Sequence, residues 1–376
     1  MGKRAKCIGI LTAGGDCPGL NPVIRGIAKS AMHYGIRVLG IQDGFRGLVE
    51  RRVVPLDQLQ VSGILTVGGT ILGSSRDKPH KFPMGGKILD MTDVAAENVE
   101  KMHIDCVVCL GGNGTQKNAL RLAKKGVNVI TLPKTIDNDV YGTDITFGFD
   151  TALGIATEAI DRLHTTATSH HRIIACEIMG HKAGWLALEA GIAGGADAIL
   201  IPEIPYNLED LANFLMARRR SNKRFSIIAV AEGALSQSDA KEKLEKISKK
   251  TIAKEAKKKE KTEAKGYIPS VGSKIASKLG EMIDVDVRVT ALGHVQRGGT
   301  PSARDRVLCT RLGTAVADLL LKGEYGKMIA IKGSKCVAVD LEEVAGKIKT
   351  VPTDHDLIKA AKLVETSFGN IEIDRL

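Results

Sequence analysis

The sequence predicts an α/β protein with two doubly wound, parallel sheets. Short apolar runs of strand length alternate with helical periodicities almost throughout. Glycine clusters follow several of those runs, and Gly is abundant at 41 residues while aromatics reach only 3%. A chain of 376 residues with 43% hydrophobic content can bury two cores of ordinary size and is long for one.

The elements read in order as follows. Residues 8–12 form a strand, followed by glycines and a helix over about 21–34; residues 37–41 form a second strand. A third strand at 104–110 leads through Gly111-Gly112-Asn113-Gly114-Thr115 into a helix ending near Lys124, and 127–132 is the next strand. Residues 151–168 are helical, with Ile155, Ala159, Ile160 and Leu163 on one face. Strands at 172–177, 198–201, 225–231 and 285–292, a helix at 183–193 and a long closing helix at 303–321 complete the alternation. The chain is expected to cross between the sheets near Gly148-Phe149-Asp150 and again near Gly298-Gly299, and no repeat period recurs. Between 236 and 266 the pattern breaks into a Lys/Glu/Ala-rich stretch, which reads as an exposed helical insertion.

The net charge of +11 is unevenly placed: residues 241–265 hold eleven Lys and five Glu. With few aromatics elsewhere, this is not the pattern of a nucleic-acid reader, but it suits anionic, phosphorylated substrates. The seven cysteines are read as reduced core thiols, since Cys106 and Cys109 lie three apart in one strand and point to opposite faces. No apolar run has membrane-spanning length and no signal peptide is visible, so a cytoplasmic protein without membrane partners is expected.

The chemistry concentrates at strand ends. In Leu132-Pro133-Lys134-Thr135-Ile136-Asp137-Asn138-Asp139, two carboxylates stand two residues apart after a buried run. Crowded like charges need a metal, a lysine or a substrate to offset them, and the carboxyl ends of open α/β sheets are where ligands bind. A solvated Asx-type turn is the alternative. Thr12-Ala13-Gly14-Gly15-Asp16 follows the first strand and opens a helix, a device that lets backbone N–H groups approach an anion; a tight strand–helix turn would use the same glycines. No Walker lysine follows. Gly112, Asn113, Gly114 and Thr115 repeat the device, so a polyphosphate could lie across both loops. Gly73-Ser74-Ser75-Arg76 delivers an arginine. His294 and Arg297 follow the strand at 285–292, Arg288 lies within that strand near its start and Arg172 opens another; together they make a basic set hard to explain without an anion, and Glu232 could accept sugar hydroxyl hydrogen bonds.

Four strings then coincide: Leu11-Thr12-Ala13-Gly14-Gly15-Asp16, Pro133 to Asp139, Met179-Gly180, and Leu292-Gly293-His294-Val295-Gln296-Arg297-Gly298-Gly299. Together, over roughly residues 6 to 335, they resemble the 6-phosphofructokinases. The resemblance implies two Rossmann-like α/β/α domains with the active site in the cleft between them. A phosphoryl-donor domain would take residues 1–148 plus about 299–350. A fructose 6-phosphate domain would take 149–298 plus about 351–376 and carry the insertion at 236–266. The implied reaction is phosphoryl transfer from ATP, with Mg²⁺, to the 1-hydroxyl of fructose 6-phosphate, in glycolysis.

By the same resemblance Asp137 would be the general base, with Thr135 and Asp139 positioning it and the metal. Gly15 and Arg76 would stabilise the transferring phosphoryl group. Gly14, Gly15, Phe45, Arg76, Gly112, Asn113, Gly114 and Thr115 would line the donor site, with Phe45 stacked on adenine. Arg172, Arg288, His294 and Arg297 would hold the sugar phosphate, and Met179, Gly180, His181 and Glu232 the sugar. Asn113 and Asp139 would be the metal-associated pair. The family counterparts of Arg172 and Arg288 reach across a subunit interface, which implies at least a homodimer and usually a homotetramer.

Departures from the family pattern matter. Asn113 replaces the usual aspartate, and a neutral amide binds Mg²⁺ more weakly. Gly114 resembles the ATP-dependent branch, where pyrophosphate users carry an aspartate; Lys134 resembles pyrophosphate users and some atypical ATP users. ATP is therefore the expected donor, with pyrophosphate as the alternative. His181 replaces an arginine, and Gln58, His164 and Ser221 replace basic residues of the bacterial effector site while Arg25 and Lys223 remain, so weak or absent ADP activation is expected. A NAD or lipid kinase, sharing a similar glycine loop, lacks the 293–299 phosphate cradle. An inactive regulatory paralogue that binds sugar phosphate is favoured only by Asn113.

Overall fold

The structure, a computed structural model, describes residues 5–252 and 270–374. The strands run β1 Cys7–Thr12, β2 Arg37–Ile41, β3 Val53–Pro55, β4 Phe82–Met84, β5 Lys87–Leu89, β6 Cys106–Gly111, β7 Val129–Pro133, β8 Ile173–Ile178, β9 Ala198–Leu200, β10 Ser226–Ala231, β11 Val287–Ala291, β12 Lys327–Lys332 and β13 Lys335–Asp340. The helices that carry the argument are α1 Leu20–His33, α2 Phe45–Glu50, α3 Thr92–Lys101, α4 Asn113–Ala123, α5 Phe149–His170, α6 Trp185–Ala193, α7 Leu208–Arg220, α8 Gln237–Ile252, α9 Val271–Met282 and α10 Ala303–Lys322. The chain divides into two compact units, Met1–Ala152 with Arg297–Lys349, and Leu153–Gln296 with Thr350–Leu376.

The first unit holds a seven-stranded sheet in the order β13-β12-β7-β6-β1-β2-β3. Strands β12, β7, β6, β1 and β2 are parallel, while β3 and β13 run antiparallel at the edges. β1 and β6 are buried at every position, which is why they read as unbroken apolar runs rather than alternating ones. Register pairs Thr12 with Leu110 and Gly111 with Pro133, so the loops after β1, β6 and β7 leave the sheet at one level. Between β1 and β6 the chain direction of winding reverses, the point in an open sheet where ligands bind. Asp305, in the first turn of α10, accepts from the Gly148 and Thr151 N–H groups at 2.9 Å each and so caps α5. Burial pushes its carboxyl above the ordinary range, against those bonds.

The second unit holds a four-stranded sheet in the order β11-β8-β10-β9, parallel throughout. β10 is wholly buried. Within this unit Glu203 accepts from the Gly184 N–H at 3.0 Å and from the Val351 N–H at 3.0 Å, tying the start of α6 to the C-terminal tail. Of the expected insertion, α8 forms its first part, and residues 253–266 lie outside the described residues.

The division falls inside α5, after Ala152, and again between Gln296 and Arg297, a few residues from the expected crossovers. A glycine can make a chain turn, but a continuous helix can also carry it from one unit to the next. All seven cysteines are free thiols, and all but Cys336 are buried. Among the described residues, no helix is long and apolar enough to cross a membrane.

Candidate active site

In the first unit, three loops are laced together at the carboxyl end of the sheet. Gly14, at φ +88°, donates its N–H to the Ser75 carbonyl at 2.9 Å, and Ser74 Oγ donates to the Gly14 carbonyl at 2.7 Å. Ala13 forms a parallel bridge with Ser75. The exposed Arg76 is therefore held beside the first glycine loop. Asn21 fixes this segment from below, donating to the Val67 and Gly68 carbonyls and accepting from the Ile71 N–H at 2.8 Å.

The second glycine loop is the first turn of α4, capped by Gly112 and beginning at Asn113, where helix N–H groups lack intrahelical partners. Thr115 is buried and donates to the Ala13 carbonyl at 3.4 Å, linking the two loops. A Cβ at Gly114 would meet no atom within 4 Å among the described residues, so the space above this turn is open. Asn113 Nδ2 donates to Asp139 Oδ2 at 2.8 Å and to the Asp139 carbonyl at 3.2 Å. That turns Asn113 Oδ1 the other way; it is buried and has no hydrogen-bond partner among the described residues.

The acidic segment follows β7. Thr135 Oγ1 accepts from the Asp137 N–H at 3.1 Å, and Asn138 between the aspartates adopts φ +50°. Its Oδ1 accepts from the Thr146 N–H at 3.1 Å and from Lys349 Nζ at 2.9 Å. Asp139 is 5% exposed. Lys134 is buried and donates its ammonium to the Gly15 carbonyl. Burial pushes its pKa below the ordinary lysine range; Arg297 adds to the shift, while Cys17, Asp137 and Asp16 oppose it. Lys134 and Arg297 thus both lie against Gly15 in the first glycine loop.

Two expected site residues sit differently from the reading of the sequence. Phe45, expected to stack on adenine, is 1% exposed and belongs to the core cluster with Leu48, Phe82 and Val99. Its side chain packs into that cluster, so a role at the nucleotide remains to be tested by substitution. The alternation of polar and apolar residues in a six-residue helix is too short to say which face is buried. Arg297, expected beside His294 on a sugar phosphate, belongs to the first unit. Its guanidinium lies so close to Gly15 that a Cβ there would collide with it, and its buried Nε has no partner among the described residues. The absence of a Cβ at Gly15 leaves room for the end of the Arg297 side chain.

In the second unit, Met179, Glu232 and His294 follow the carboxyl ends of the adjacent strands β8, β10 and β11. Glu232 Oε1 accepts from the His181 N–H at 2.8 Å, across a turn in which Gly180 has φ +147° and His181 φ +52°. The buried Gln296 joins this turn to the next: its Oε1 accepts from the Met179 N–H at 3.3 Å and its Nε2 donates to the Gly293 carbonyl at 3.1 Å. Arg172 and Arg288 stand elsewhere. Both bind Asp286, at 2.7 and 2.9 Å, near the amino ends of β8 and β11. Partial desolvation pushes the Asp286 carboxyl up, but the two arginines outweigh it and hold it below its usual range. A strand rises about 3.3 Å per residue, so these arginines lie roughly 20 Å from Met179 within one chain. Of the expected effector positions, His164 Nε2 bonds the Gly194 carbonyl at 2.6 Å and Lys223 pairs with Glu365 at 2.9 Å.

Two parallel α/β sheets, with paired glycine loops and an acidic segment at the carboxyl ends of adjacent strands, define a protein built to handle phosphorylated ligands. The chain belongs to the phosphofructokinase family, whose model matches residues 7–320. It is similar to the ATP-dependent 6-phosphofructokinase of Propionibacterium freudenreichii subsp. shermanii, 55% identical over 96% of this chain and 99% of that protein. The ATP-dependent 6-phosphofructokinase of Spirochaeta thermophila is 52% identical over 97% of this chain and 98% of that protein. Among solved structures, Pichia pastoris phosphofructokinase in the T-state superposes with a TM-score of 0.77 at 29% identity, over 96% of this chain and 37% of the longer yeast chain. A pyrophosphate-dependent phosphofructokinase from Marinobacter aquaeolei gives a TM-score of 0.74 at 19% identity, over 92% of this chain and 86% of that chain, a likeness of fold alone.

Proposed function

We propose that this chain is an ATP-dependent 6-phosphofructokinase, converting fructose 6-phosphate to fructose 1,6-bisphosphate in glycolysis. The observation that carries the reading is the meeting, at one level of the first unit's sheet, of two glycine loops and the Asp137–Asp139 segment. The open space at Gly114 and the names of the relatives favour ATP over pyrophosphate.

In this reading the first unit binds the donor and the second the sugar. Asp137 takes the proton of the 1-hydroxyl as its oxygen forms a bond to the γ-phosphorus, and the bond to the β-phosphate oxygen breaks to release ADP. Gly15, Arg76, Lys134 and Arg297 supply donors and positive charge around the phosphoryl group in flight. Thr135 and Asp139 orient the acidic loop. Met179, Gly180, His181, Glu232 and His294 hold the sugar.

The residues present fit a bound Mg²⁺. Asn113 Oδ1 is a hard oxygen with no partner among the described residues, and the Asp139 carboxylate lies on the nitrogen side of the same amide, so Asn113 would turn its amide over for both oxygens to meet one ion. Among the described residues, no group of three or more acidic, histidine or cysteine side chains could hold a metal without help, so this pair would share the ion with substrate phosphates. When bound, Mg²⁺ would neutralise charge on the donor phosphates.

Arg172 and Arg288 lie at the far end of their sheet from Met179. For them to hold the sugar phosphate, a second copy of the chain must bring its own pair, which supports a homo-oligomer and, by family habit, a cytoplasmic homotetramer. A donor screen with ATP, GTP and pyrophosphate against fructose 6-phosphate and Mg²⁺ tests the reading. Turnover with ATP and none with pyrophosphate is expected, and the reverse would overturn the choice of donor.

A further inference from the structure

Lys349 lies 211 residues along the chain from Asn138, yet its ammonium enters the loop that carries both aspartates. Nζ donates to Asn138 Oδ1 at 2.9 Å, to the Thr143 carbonyl at 3.1 Å and to the Asp144 carbonyl at 2.8 Å. Its backbone N–H donates to the Asp139 carbonyl at 2.9 Å. The preceding residue, Ile348, forms an antiparallel bridge with Val140. The far side of the network is anchored in the sheet: the Asp144 N–H donates to the Ile331 carbonyl at 2.9 Å, and the Ile331 N–H to Thr143 Oγ1 at 3.0 Å.

The consequence is conformational. Asn138 has φ +50°, a left-handed conformation that costs a residue with a side chain and is kept only where its surroundings hold it. Here its side-chain oxygen is held by the Thr146 N–H on one side and the Lys349 ammonium on the other. Because Asn138 separates Asp137 from Asp139, its backbone torsions set the directions in which the two carboxylates leave the loop. The ammonium also brings a positive charge into a segment with two nearby negative ones.

We infer that Lys349 is a positioning residue for the reaction, holding the Asp137–Asn138–Asp139 turn in the shape that base catalysis needs. The inference rests on the function proposed above. Lys349 binds neither substrate; it acts through Asn138 and the Asp139 carbonyl. Its removal is therefore felt in the chemical step and not in substrate affinity.

The test compares wild type, Lys349→Met, Asn138→Gly and the double variant in steady-state assays with ATP and fructose 6-phosphate. Methionine keeps the apolar stem and removes the donors, and glycine keeps access to positive φ while removing the acceptor. Lys349→Met is expected to lower kcat by about 30- to 100-fold, the scale of a misplacement near 1 Å, with both KM values within about threefold of wild type. Lys349→Arg should recover part of the loss. Asn138→Gly should lower kcat similarly, and the double variant should lose less than the product of the two single losses, because the Lys349–Asn138 bond is removed by both. A kcat within about twofold of wild type in Lys349→Met, or losses that multiply in the double variant, would overturn the inference. If Lys349→Met does not fold, Asn138→Gly decides alone by the same kcat–KM split. A wild-type protein that does not phosphorylate fructose 6-phosphate would refute the proposed function instead, so the two failures are distinguishable.

Discussion

Replacing Asn113 by aspartate probes the electrostatics of the acidic loop without touching its fold. In the wild type the Asn113 amide donates to Asp139 Oδ2 at 2.8 Å, and Asp139 is 5% exposed. Asn113→Asp removes a hydrogen bond to a charged group, a loss of about 1.5–3 kcal/mol. It also sets two carboxylates at the same separation, where an effective dielectric constant of about 20 gives a repulsion of about 6 kcal/mol. The second figure is a ceiling, because one carboxyl will take up a proton; keeping a group of ordinary pKa protonated at pH 7 costs about 4 kcal/mol. Because the protonated carboxyl donates to Asp139 in place of the amide, the net destabilisation is at most about 4 kcal/mol, or a fall in Tm of at most about 8–16 °C for a unit of this size.

The sign of the pH dependence is fixed. The variant's carboxyl has a higher pKa folded than unfolded, so the folded state binds more protons. Stability then falls as pH rises from about 4 towards the folded pKa, and the deficit vanishes in acid. Thermal melts of both proteins in chelator, from pH 4.5 to 8, and again in millimolar Mg²⁺, read this out. A cation between the carboxylates should return more Tm to the variant than to wild type. A Tm in chelator within about 2 °C of wild type at pH 8, or no extra gain from Mg²⁺, would refute the reasoning.

Two further substitutions separate contact from packing. Arg297→Ala should raise KM for ATP at least as much as KM for fructose 6-phosphate, since its guanidinium lies on Gly15; a change confined to the sugar would return Arg297 to the sugar-phosphate site. Phe45→Leu should leave KM for ATP within about twofold while lowering stability by about 1–3 kcal/mol in thermal melts, because the ring is core; a tenfold rise in that KM at unchanged Tm would restore its contact with the nucleotide.

The strands that position the site were legible for a physical reason. β1, β6 and β7 are buried on both faces, so they appear as unbroken apolar runs, and each is followed by the residues that mark a ligand loop. Other signals were present but weaker. Asn207 with Glu209 and Asp210 announces α7, whose N–H groups the Asn207 side chain accepts at 2.8 and 3.3 Å. Gly333, at φ +55°, marks the turn between β12 and β13. Three-residue strands such as β3 carry too little pattern to read.

The tertiary facts were beyond reach of local pattern. The chain places Arg297 three residues from His294, but the fold gives it to the other unit, against Gly15. Lys349 looks like one more lysine in a basic tail until the sheet brings it to Asn138. Phe45 opens a short helix whose burial depends on α3 and its neighbours in the core. Spacing identifies which residue types gather at strand ends; only packing decides which of them face a ligand.

The central claim is that Asp137 removes a proton during phosphoryl transfer, and Asp137→Ser tests it most directly. Rates at saturating ATP, Mg²⁺ and fructose 6-phosphate should fall by about 10²–10⁴-fold, while both KM values stay within about threefold, because the base is lost and the binding groups remain. A variant that keeps kcat within about threefold of wild type would contradict the account.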